Sequence, residues 1–221
     1  EMQRSLVGSE MCIRDSFIYD SKGMAMELRI PTSEQLKSVY EGQLKQAFPA
    51  SELKPLQSIE ELWRDGLYRP WCLFDGDEIV GACFLWLGRP GWALLDYLCV
   101  SADHRNRGIG ALLLSMLLEQ EPDLTIFGES ELPSHAPDPV MAEHRLGFYA
   151  RNGAKTAGYE TALFGVPYKT LYWSKKPVDD SVLMEQHRHI YESRFSPEKL
   201  DRFIRIPYDP AEPLVATPWE E

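Results

Sequence analysis

The sequence has little positive charge, few cysteines and no long apolar run. Its 221 residues carry 34 acidic and 23 basic side chains, a net charge of −11. Because such a chain repels nucleic acid and anionic membranes, we expect neither as a partner. The absence of any run of about 18 apolar residues argues against a transmembrane helix. The four cysteines form no C-x-x-C pair, which favours a reducing, cytoplasmic setting, and the five histidines form no metal-ligand set, so we expect no metal.

Residues 1–23 show neither a helical nor a strand period. They also lack the apolar core of a signal peptide. The run SLVGSEMCIRDS resembles a leader that recurs in front of unrelated open reading frames, and it looks like translated sequencing adapter. We therefore expect a non-native or disordered leader over 1–23, one domain over 24–175, and a C-terminal helical extension with a tail over 176–221.

Hydrophobic periodicity predicts an α/β fold, a mixed sheet with helices on its faces. The predicted order is strand, two helices, three strands, helix, strand, helix and two strands, with two closing helices. An Asp-Gly pair at 75–76 predicts a hairpin, and a Gly-Val-Pro corner is expected to join the last two strands. The other predicted elements are strands at 26–31, 92–100 and 124–132, and helices at 32–48, 58–67 (capped by Ser58) and 138–154, with a further helix that follows the glycine-containing turn within 103–120.

The segment DHRNRGIGALLLSMLLEQ (103–120) places two arginines and two glycines in front of an apolar helix. The front of a helix has unpaired N–H groups and the positive end of the dipole, and glycines let a ligand approach them closely. These features predict a phosphate cradle. The helix is expected to bury one face, consisting of Ile109, Leu112, Leu113, Met116 and Leu117.

Two common phosphate-binding patterns do not match this segment. It has no G-K-[ST], which argues against a P-loop. The dinucleotide pattern G-x-G-x-x-G fails at its third glycine, where Leu113 stands, and the turn follows the fourth strand instead of the first. A nicotinamide-dependent enzyme is therefore disfavoured. The pattern that does match is R-x-x-G-x-G, from Arg105 to Gly110.

With this motif the sequence resembles the GCN5-related N-acetyltransferase (GNAT) family. A later segment, RLGFYARNGA (145–154), is similar to the second family signature, a helix bearing Phe-Tyr followed by Asn-Gly and a strand. The resemblance covers about residues 26–175. It implies a mostly antiparallel seven-stranded sheet whose fourth strand splays from its neighbour. One departure is Ala142, which stands where many relatives carry an asparagine.

The resemblance implies acetyl-CoA as the co-substrate. The splayed strand would offer backbone groups to the pantetheine arm, and the cradle would bind the pyrophosphate. The residues so implied are Leu98, Cys99 and Val100 on the strand, and Arg105, Asn106, Arg107, Gly108, Ile109, Gly110 and Ala111 in the cradle.

Acetyl transfer from a thioester to an amine needs a base, an oxyanion donor and a proton for the departing thiolate. The resemblance implies that the backbone N–H of Leu98 or Val100 is the oxyanion donor and that Tyr149 is the acid. A phenol with a pKa near 10 keeps its proton at neutral pH. Without the motif, Tyr149 would be interpreted as a core aromatic beside Phe148.

Three carboxylates are candidates for the base. Glu129 and Glu131 end the fifth strand two residues apart, and so lie on one face. Asp96 lies inside an apolar strand, where burial would raise its pKa. Our order of preference is Glu129, Asp96, Glu131, with a water chain as a further alternative. The carboxylates would otherwise be a solvated strand end, a paired strand residue, or a binding site for an ammonium group. Cys99 is expected to pack as a small hydrophobe and not to act as a nucleophile.

The sequence thus predicts an N-acetyltransferase that acts on a primary amine of a small molecule or peptide. The alternative is a non-catalytic GNAT-fold module that binds acyl-CoA, which Ala142 slightly favours. The acidic balance favours a cationic acceptor. An aromatic set, consisting of Phe48, Trp63, Tyr68 and Trp71, would either line the acceptor pocket or fill the core. The extension after residue 175 would cap the active site or form a homodimer contact.

Overall fold

The computed structural model describes residues 26–50 and 52–215. The predicted leader and the last six residues lie outside the described residues. The described strands form one sheet in the order β1-β2-β3-β4-β5-β7-β6-β8. They are β1 (Met26–Arg29), β2 (Tyr68–Asp75), β3 (Glu78–Leu87), β4 (Trp92–Val100), β5 (Thr125–Glu131), β6 (Lys155–Leu163), β7 (Val166–Trp173) and β8 (Ile204–Arg205).

The sheet is mixed and mostly antiparallel, as predicted. Strands β4 and β5 run parallel, and the other neighbouring pairs are antiparallel. The eighth strand was not predicted. It has two residues, too few to show a period, and it pairs with β6 at the far edge of the sheet.

Seven α-helices are described, and none of them is long and apolar enough to cross a membrane. A π-helical segment, Tyr40–Leu44, joins the first two into one continuous rod. The predicted serine cap of the third helix is wrong, because that helix begins at Leu56 behind Pro55, whose fixed φ suits a helix start. The helices are α1 (Ser33–Val39), α2 (Lys45–Ala47), α3 (Leu56–Arg64), α4 (Ile109–Gln120), α5 (Pro139–Arg151), α6 (Asp180–Glu192) and α7 (Pro197–Phe203).

Helices cover both faces of the sheet, and each face has its own apolar core. One face, which we call the α6 face, packs against α1, α3 and α6. The opposite face, the α4 face, packs against α4 and the C-terminal half of α5. Strand β3 shows the alternation: Phe84 and Trp86 point to the α6 face, whereas Cys83 and Leu85 point to the α4 face.

The predicted buried face of α4 is partly wrong. Leu114 is buried with Ile109, Leu113 and Leu117, whereas Leu112 and Met116 are only partly buried. The reason is the composition of this helix, which is apolar on nearly every side. A helix of this kind has a weak amphipathic period, so the sequence does not define which side faces the sheet.

The two hairpin turns differ in how well they were predicted. The β2–β3 turn lies at Gly76 and Asp77, with Gly76 at φ 61°, as the Asp-Gly signal predicts. The β6–β7 turn lies at Phe164 and Gly165, one step before the predicted Gly-Val-Pro corner. Both of these residues have positive φ, 48° and 86°, which matches the twist of a tight two-residue hairpin.

Candidate active site

A cleft opens where β4 and β5 separate. The two strands pair with each other from Trp92 and Thr125 up to Leu95 and Gly128. Beyond that point, among the described strands, β4 pairs only with β3 and β5 only with β7. The resulting cleft has a volume of about 1150 Å³. The predicted splay of the fourth strand is therefore confirmed.

A β-bulge at Asp96 marks the point of separation. Phe84 of β3 pairs with Tyr97, but the next residue, Leu85, pairs with Leu95, so Asp96 is the extra residue. A bulge bends its strand and redirects the following side chains. Here it coincides with the last β4–β5 pair, and we infer that it helps β4 to diverge from β5.

The front of α4 forms one wall of the cleft. The helix begins after Gly108, which has φ 79°, and Asn106 is also left-handed at φ 61°. The N–H groups of a first helical turn have no intrahelical partners, and they carry the positive end of the helix dipole. Arg105 lies on the same side, where its Nε donates to the Val100 carbonyl at 3.4 Å. This wall fits the pyrophosphate of a nucleotide cofactor.

Nine of the ten residues that were predicted to bind the cofactor line this cleft. Arg107 is the exception: it is exposed and lies outside the lining. The nine are Leu98, Cys99, Val100, Arg105, Asn106, Gly108, Ile109, Gly110 and Ala111.

Gly108 should be sensitive to substitution, because its φ of 79° disfavours any side chain. We expect Gly108→Ala to lower the free energy of unfolding by about 1 kcal/mol, measured by urea denaturation. The matched control is Gly42→Ala, since Gly42 lies in the helical rod with no atom near its missing Cβ. That control should raise stability by about 0.5 kcal/mol. Equal effects of the two variants would contradict a strained turn at Gly108.

Tyr149 lies on α5 and faces the cleft. Its ring packs edge-on against Phe148 and Trp173, with centroid distances of 5.3 and 5.8 Å. Burial raises the pKa of the Tyr149 phenol to about 12. The hydroxyl therefore keeps its proton at neutral pH and is able to donate it.

Glu129 has donors from α6, which the sequence did not predict. The Nε2 atom of His187 lies 2.5 Å from Oε1 of Glu129, and the Tyr191 hydroxyl donates at 2.9 Å. The Glu129 side chain is 13% exposed and lines the cleft. Its contacts are thus an imidazole and a phenol.

The other two predicted carboxylates are held by cations. The Asp96 carboxylate accepts from the Lys54 ammonium at 2.7 Å and from the Tyr68 hydroxyl. Glu131 forms an ion pair with Arg145 of α5. All three candidate carboxylates line the same cleft. Asp96 and Glu131 each pair with a cation, whereas Glu129 contacts an imidazole and a phenol.

Glu52 is a fourth carboxylate of the cleft, and the sequence analysis missed it. It lies in the loop between α2 and α3, where no period indicates which side chains face inward. Burial raises its pKa and the nearby charge of Glu131 adds to that shift, whereas the Arg145 guanidinium and a hydrogen bond from Tyr168 partly offset it. Glu52 therefore adds a further carboxyl group to the part of the cleft that Glu129 and Glu131 line.

The raised pKa of Glu52 predicts a dependence of stability on pH. The folded protein binds this proton more readily than the unfolded chain, so Glu52 destabilises the fold increasingly as the pH rises above the unfolded pKa, and the effect is complete above the folded pKa. We expect Glu52→Gln to raise the melting temperature at pH 7.5. The gain should vanish as the pH falls below the ordinary value of 4.5, where both states are protonated. An exposed control, Glu192→Gln, should change little at either pH. A gain that is independent of pH would contradict this assignment.

The thiol of Cys99 also lies in the cleft wall. Burial raises its pKa to about 12, and a backbone hydrogen bond from Ala82 offsets this only in part. Because the thiolate is the nucleophilic form, a thiol of this pKa is unreactive at neutral pH. This agrees with the expectation that Cys99 packs as a small hydrophobe.

Of the four aromatic residues in the predicted set, Phe48 alone lines the cleft. Tyr68 is buried and binds Asp96, while Trp63 and Trp71 pack on opposite faces of the sheet. Within the described part of the chain, no group of three His, Cys, Asp or Glu side chains is arranged to hold a metal ion.

Comparison with known proteins agrees with this geometry. YjbC of Bacillus subtilis (strain 168), which carries an acetyltransferase name, is 26% identical over 157 residues, or 68% of this chain and 78% of YjbC. A GNAT-family protein from Bacteroides thetaiotaomicron has a similar structure, with a TM-score of 0.63, 22% identity, and coverage of 76% of this chain and 97% of its own.

A spermidine N-acetyltransferase from Vibrio cholerae, solved with CoA and spermine, shares the fold at a TM-score of 0.52 and 14% identity, covering 67% of this chain and 94% of its own. The sequence model of the Acetyltransferase (GNAT) family matches residues 36–148, just over half of this chain. The chain belongs to the GNAT acetyltransferase family, and it is an acyltransferase.

Proposed function

We propose that the protein transfers the acetyl group of acetyl-CoA to the primary amine of a small cationic acceptor. One observation carries this proposal: the glycine-marked front of α4, the end of β4 that has no β5 partner, and Tyr149 all line a single cleft. The cradle fits a pyrophosphate, the free strand edge fits an amide-bearing arm, and the phenol fits a departing thiolate. The cleft thus has a place for the pyrophosphate, the pantetheine arm and the departing thiolate of acetyl-CoA.

In this proposal acetyl-CoA supplies the activated thioester. Arg105, Asn106 and the N–H groups from Gly108 to Ala111 hold its pyrophosphate. The backbone of Leu98, Cys99 and Val100 holds its pantetheine arm. The N–H of Leu98 or Val100 would stabilise the negative charge that develops on the thioester oxygen.

Glu129 is our choice for the base. The Lys54 ammonium engages Asp96 and the Arg145 guanidinium engages Glu131, so each of those carboxylates already has a cation. Glu129 lines the cleft and takes the proton that the acceptor ammonium must lose before its nitrogen attacks. Tyr149 then gives its proton to the thiolate that departs from the acetyl carbon.

The charges at the acceptor end favour a cationic amine. We take the acceptor end to be the part of the cleft that Glu52 and Glu129 line. The side chains that hydrogen-bond to these carboxyl groups are phenols and an imidazole: Tyr168 for Glu52, and Tyr191 and His187 for Glu129. The cation Arg145 acts on Glu52 through its charge, and it is already paired with Glu131. Carboxylates of this kind attract an ammonium group. The Vibrio cholerae enzyme of the same fold, which was solved with the polyamine spermine, supports an acceptor of this class.

The test is turnover by the full 221-residue chain. We would mix it with acetyl-CoA and a panel of amines that includes monoamines, diamines and short peptides, and follow the release of free thiol. We expect thiol release with at least one cationic amine and none with a neutral alcohol of the same length. Tight binding of acetyl-CoA without release in the presence of any amine would instead support the non-catalytic module.

A further inference from the structure

The α6 helix lies beyond residues 36–148, which match the family, yet it contacts a predicted catalytic group. We propose that His187 and Tyr191 of α6 are positioning residues that hold the Glu129 carboxylate ready for the acceptor amine. This inference rests on the proposed function, because it assigns a task to residues around the same acceptor site. It makes the segment after residue 175 part of the active site.

The contacts to Glu129 come from two side chains one helical turn apart. His187 and Tyr191 are four residues apart, so they lie on the same side of α6. The imidazole reaches Oε1 at 2.5 Å, and the Tyr191 hydroxyl lies 2.9 Å from both oxygens. A carboxylate has about four lone-pair sites, so two donors fix its plane and still leave acceptor capacity for an ammonium group.

The imidazole of His187 is itself locked in place. Its side chain is completely buried, and its ring packs 4.8 Å from the Phe127 ring. Its second nitrogen, Nδ1, lies 3.2 Å from the hydroxyl of Tyr159 on β6. In the tautomer with the proton on Nε2, Tyr159 donates to Nδ1 and His187 donates to Glu129, which satisfies every polar atom in the chain of contacts. A buried imidazole oriented from both ends has little freedom to rotate.

Glu129 needs such support because of its place in the sheet. It follows Gly128, the last β5 residue that pairs with β4, so one flank of its strand faces the open cleft. On the other flank it pairs with Thr170 of β7. A long side chain at such an edge has several rotamers, and contacts from α6 select one of them. Precise placement of a base is a large part of its catalytic value.

Several titratable groups face Glu129 and bear on any pH effect. Two of them are hydrogen-bonding side chains of α6, and three are carboxyl groups of the cleft. The groups that interact with Glu129 are Glu52 in the α2–α3 loop, Tyr159 on β6, Tyr168 on β7, and His187 and Tyr191 on α6. Asp96 on β4 and Glu131 on β5 line the same cleft.

The key variant is Tyr191→Phe, which removes one hydroxyl and keeps the ring. In the full chain we expect kcat/KM for the amine to fall about tenfold while KM for acetyl-CoA stays unchanged. The acid limb of the pH profile should move to higher pH, because the carboxylate loses a donor to its charged form. His187→Gln, which keeps an N–H donor, should retain more activity than His187→Leu.

Two controls separate positioning from mere support of the fold. Leu183→Ala, at a fully buried α6 residue, should lower the melting temperature and leave the pH profile unchanged. In a Glu129→Gln background, Tyr191→Phe should cause no further loss, because positioning acts through Glu129. An unshifted pH profile in Tyr191→Phe, or fully additive losses in the double variant, would overturn the inference.

Failure of the proposed function would look different. If the wild-type chain acetylates no amine, the proposed function is wrong. Binding of 1,4-diaminobutane is then measured by calorimetry for the wild type, Tyr191→Phe, Glu129→Gln and the double variant. Non-additive loss of binding in Tyr191→Phe and Glu129→Gln would still support positioning by α6. Additive loss, or no binding in the wild type, would overturn it.

Discussion

Replacing Tyr149 with phenylalanine should lower kcat by about a hundredfold or more, which is the usual contribution of a general acid. The variant keeps the ring that packs between Phe148 and Trp173, so the fold and the cleft should be preserved. What it loses is the proton for the departing thiolate. The dissociation constant for acetyl-CoA should stay the same, which calorimetry checks alongside the steady-state rate.

A matched control for this variant is Tyr172→Phe. Tyr172 lies on β7, is partly buried, and does not line the cleft. We expect it to keep nearly full activity. A Tyr149→Phe enzyme with wild-type kcat would show that the thiolate leaves without help from this phenol. Because the pKa of Tyr149 is raised to about 12, loss of its proton should not limit the wild-type rate at neutral or mildly alkaline pH.

Replacing Lys54 with methionine should be the most destabilising change near the site. The Lys54 ammonium and the Asp96 carboxylate are both nearly buried and lie 2.7 Å apart. Removing one partner of a buried pair leaves the other charge uncompensated, at a cost of about 3–5 kcal/mol. Methionine keeps the length of the unbranched lysine stem but loses the ammonium, which lies 4.6 Å from the centroid of the Trp86 ring, so urea denaturation would report mainly the lost charge.

The controls for this prediction use a second pair and a double variant. Lys45→Met breaks an exposed pair with Glu41 in the helical rod, and it should cost no more than about 0.5 kcal/mol. Adding Asp96→Asn to Lys54→Met should recover part of the lost stability, because the unpaired charge is then gone. A loss below about 1 kcal/mol in Lys54→Met would contradict a tightly coupled buried pair.

The Lys54–Asp96 pair also has a consequence for the acceptor end of the cleft. It connects the α2–α3 loop to the bulge of β4. The Tyr97 hydroxyl adds two hydrogen bonds to the same loop, because it donates to the Glu52 carbonyl and accepts from the Lys54 backbone N–H. The same loop carries the Glu52 side chain into the cleft. We therefore expect Lys54→Met to weaken amine binding in addition to stability.

The sequence predicted best what local chemistry determines. The cradle follows from glycines that permit positive φ and from the exposed N–H groups of a helix start, both within a few residues of Gly108. The hairpin at Gly76 was predicted for the same reason. Strand β4 was predicted to the residue, because its apolar run has sharp ends at Trp92 and Val100.

The features that the sequence did not predict depend on contacts between distant residues. Lys54 and Asp96 are 42 residues apart in the chain, and Glu129 is 58 residues from His187 and 62 from Tyr191. No local period indicates which buried cation will meet which carboxylate. The bulge at Asp96 likewise depends on register with β3, so the strand pattern gave no sign of it.

The most direct test of the cradle is acetyl-CoA binding by calorimetry, on the full chain and two single variants. Arg105 lines the cleft, whereas Arg107, two residues away, does not. We predict a Kd on the order of micromolar for the wild type. Arg105→Ala should weaken binding about tenfold, and Arg107→Ala by less than about twofold. Absence of binding in the wild type, or equal losses in the two variants, would contradict a cofactor cradle at the front of α4.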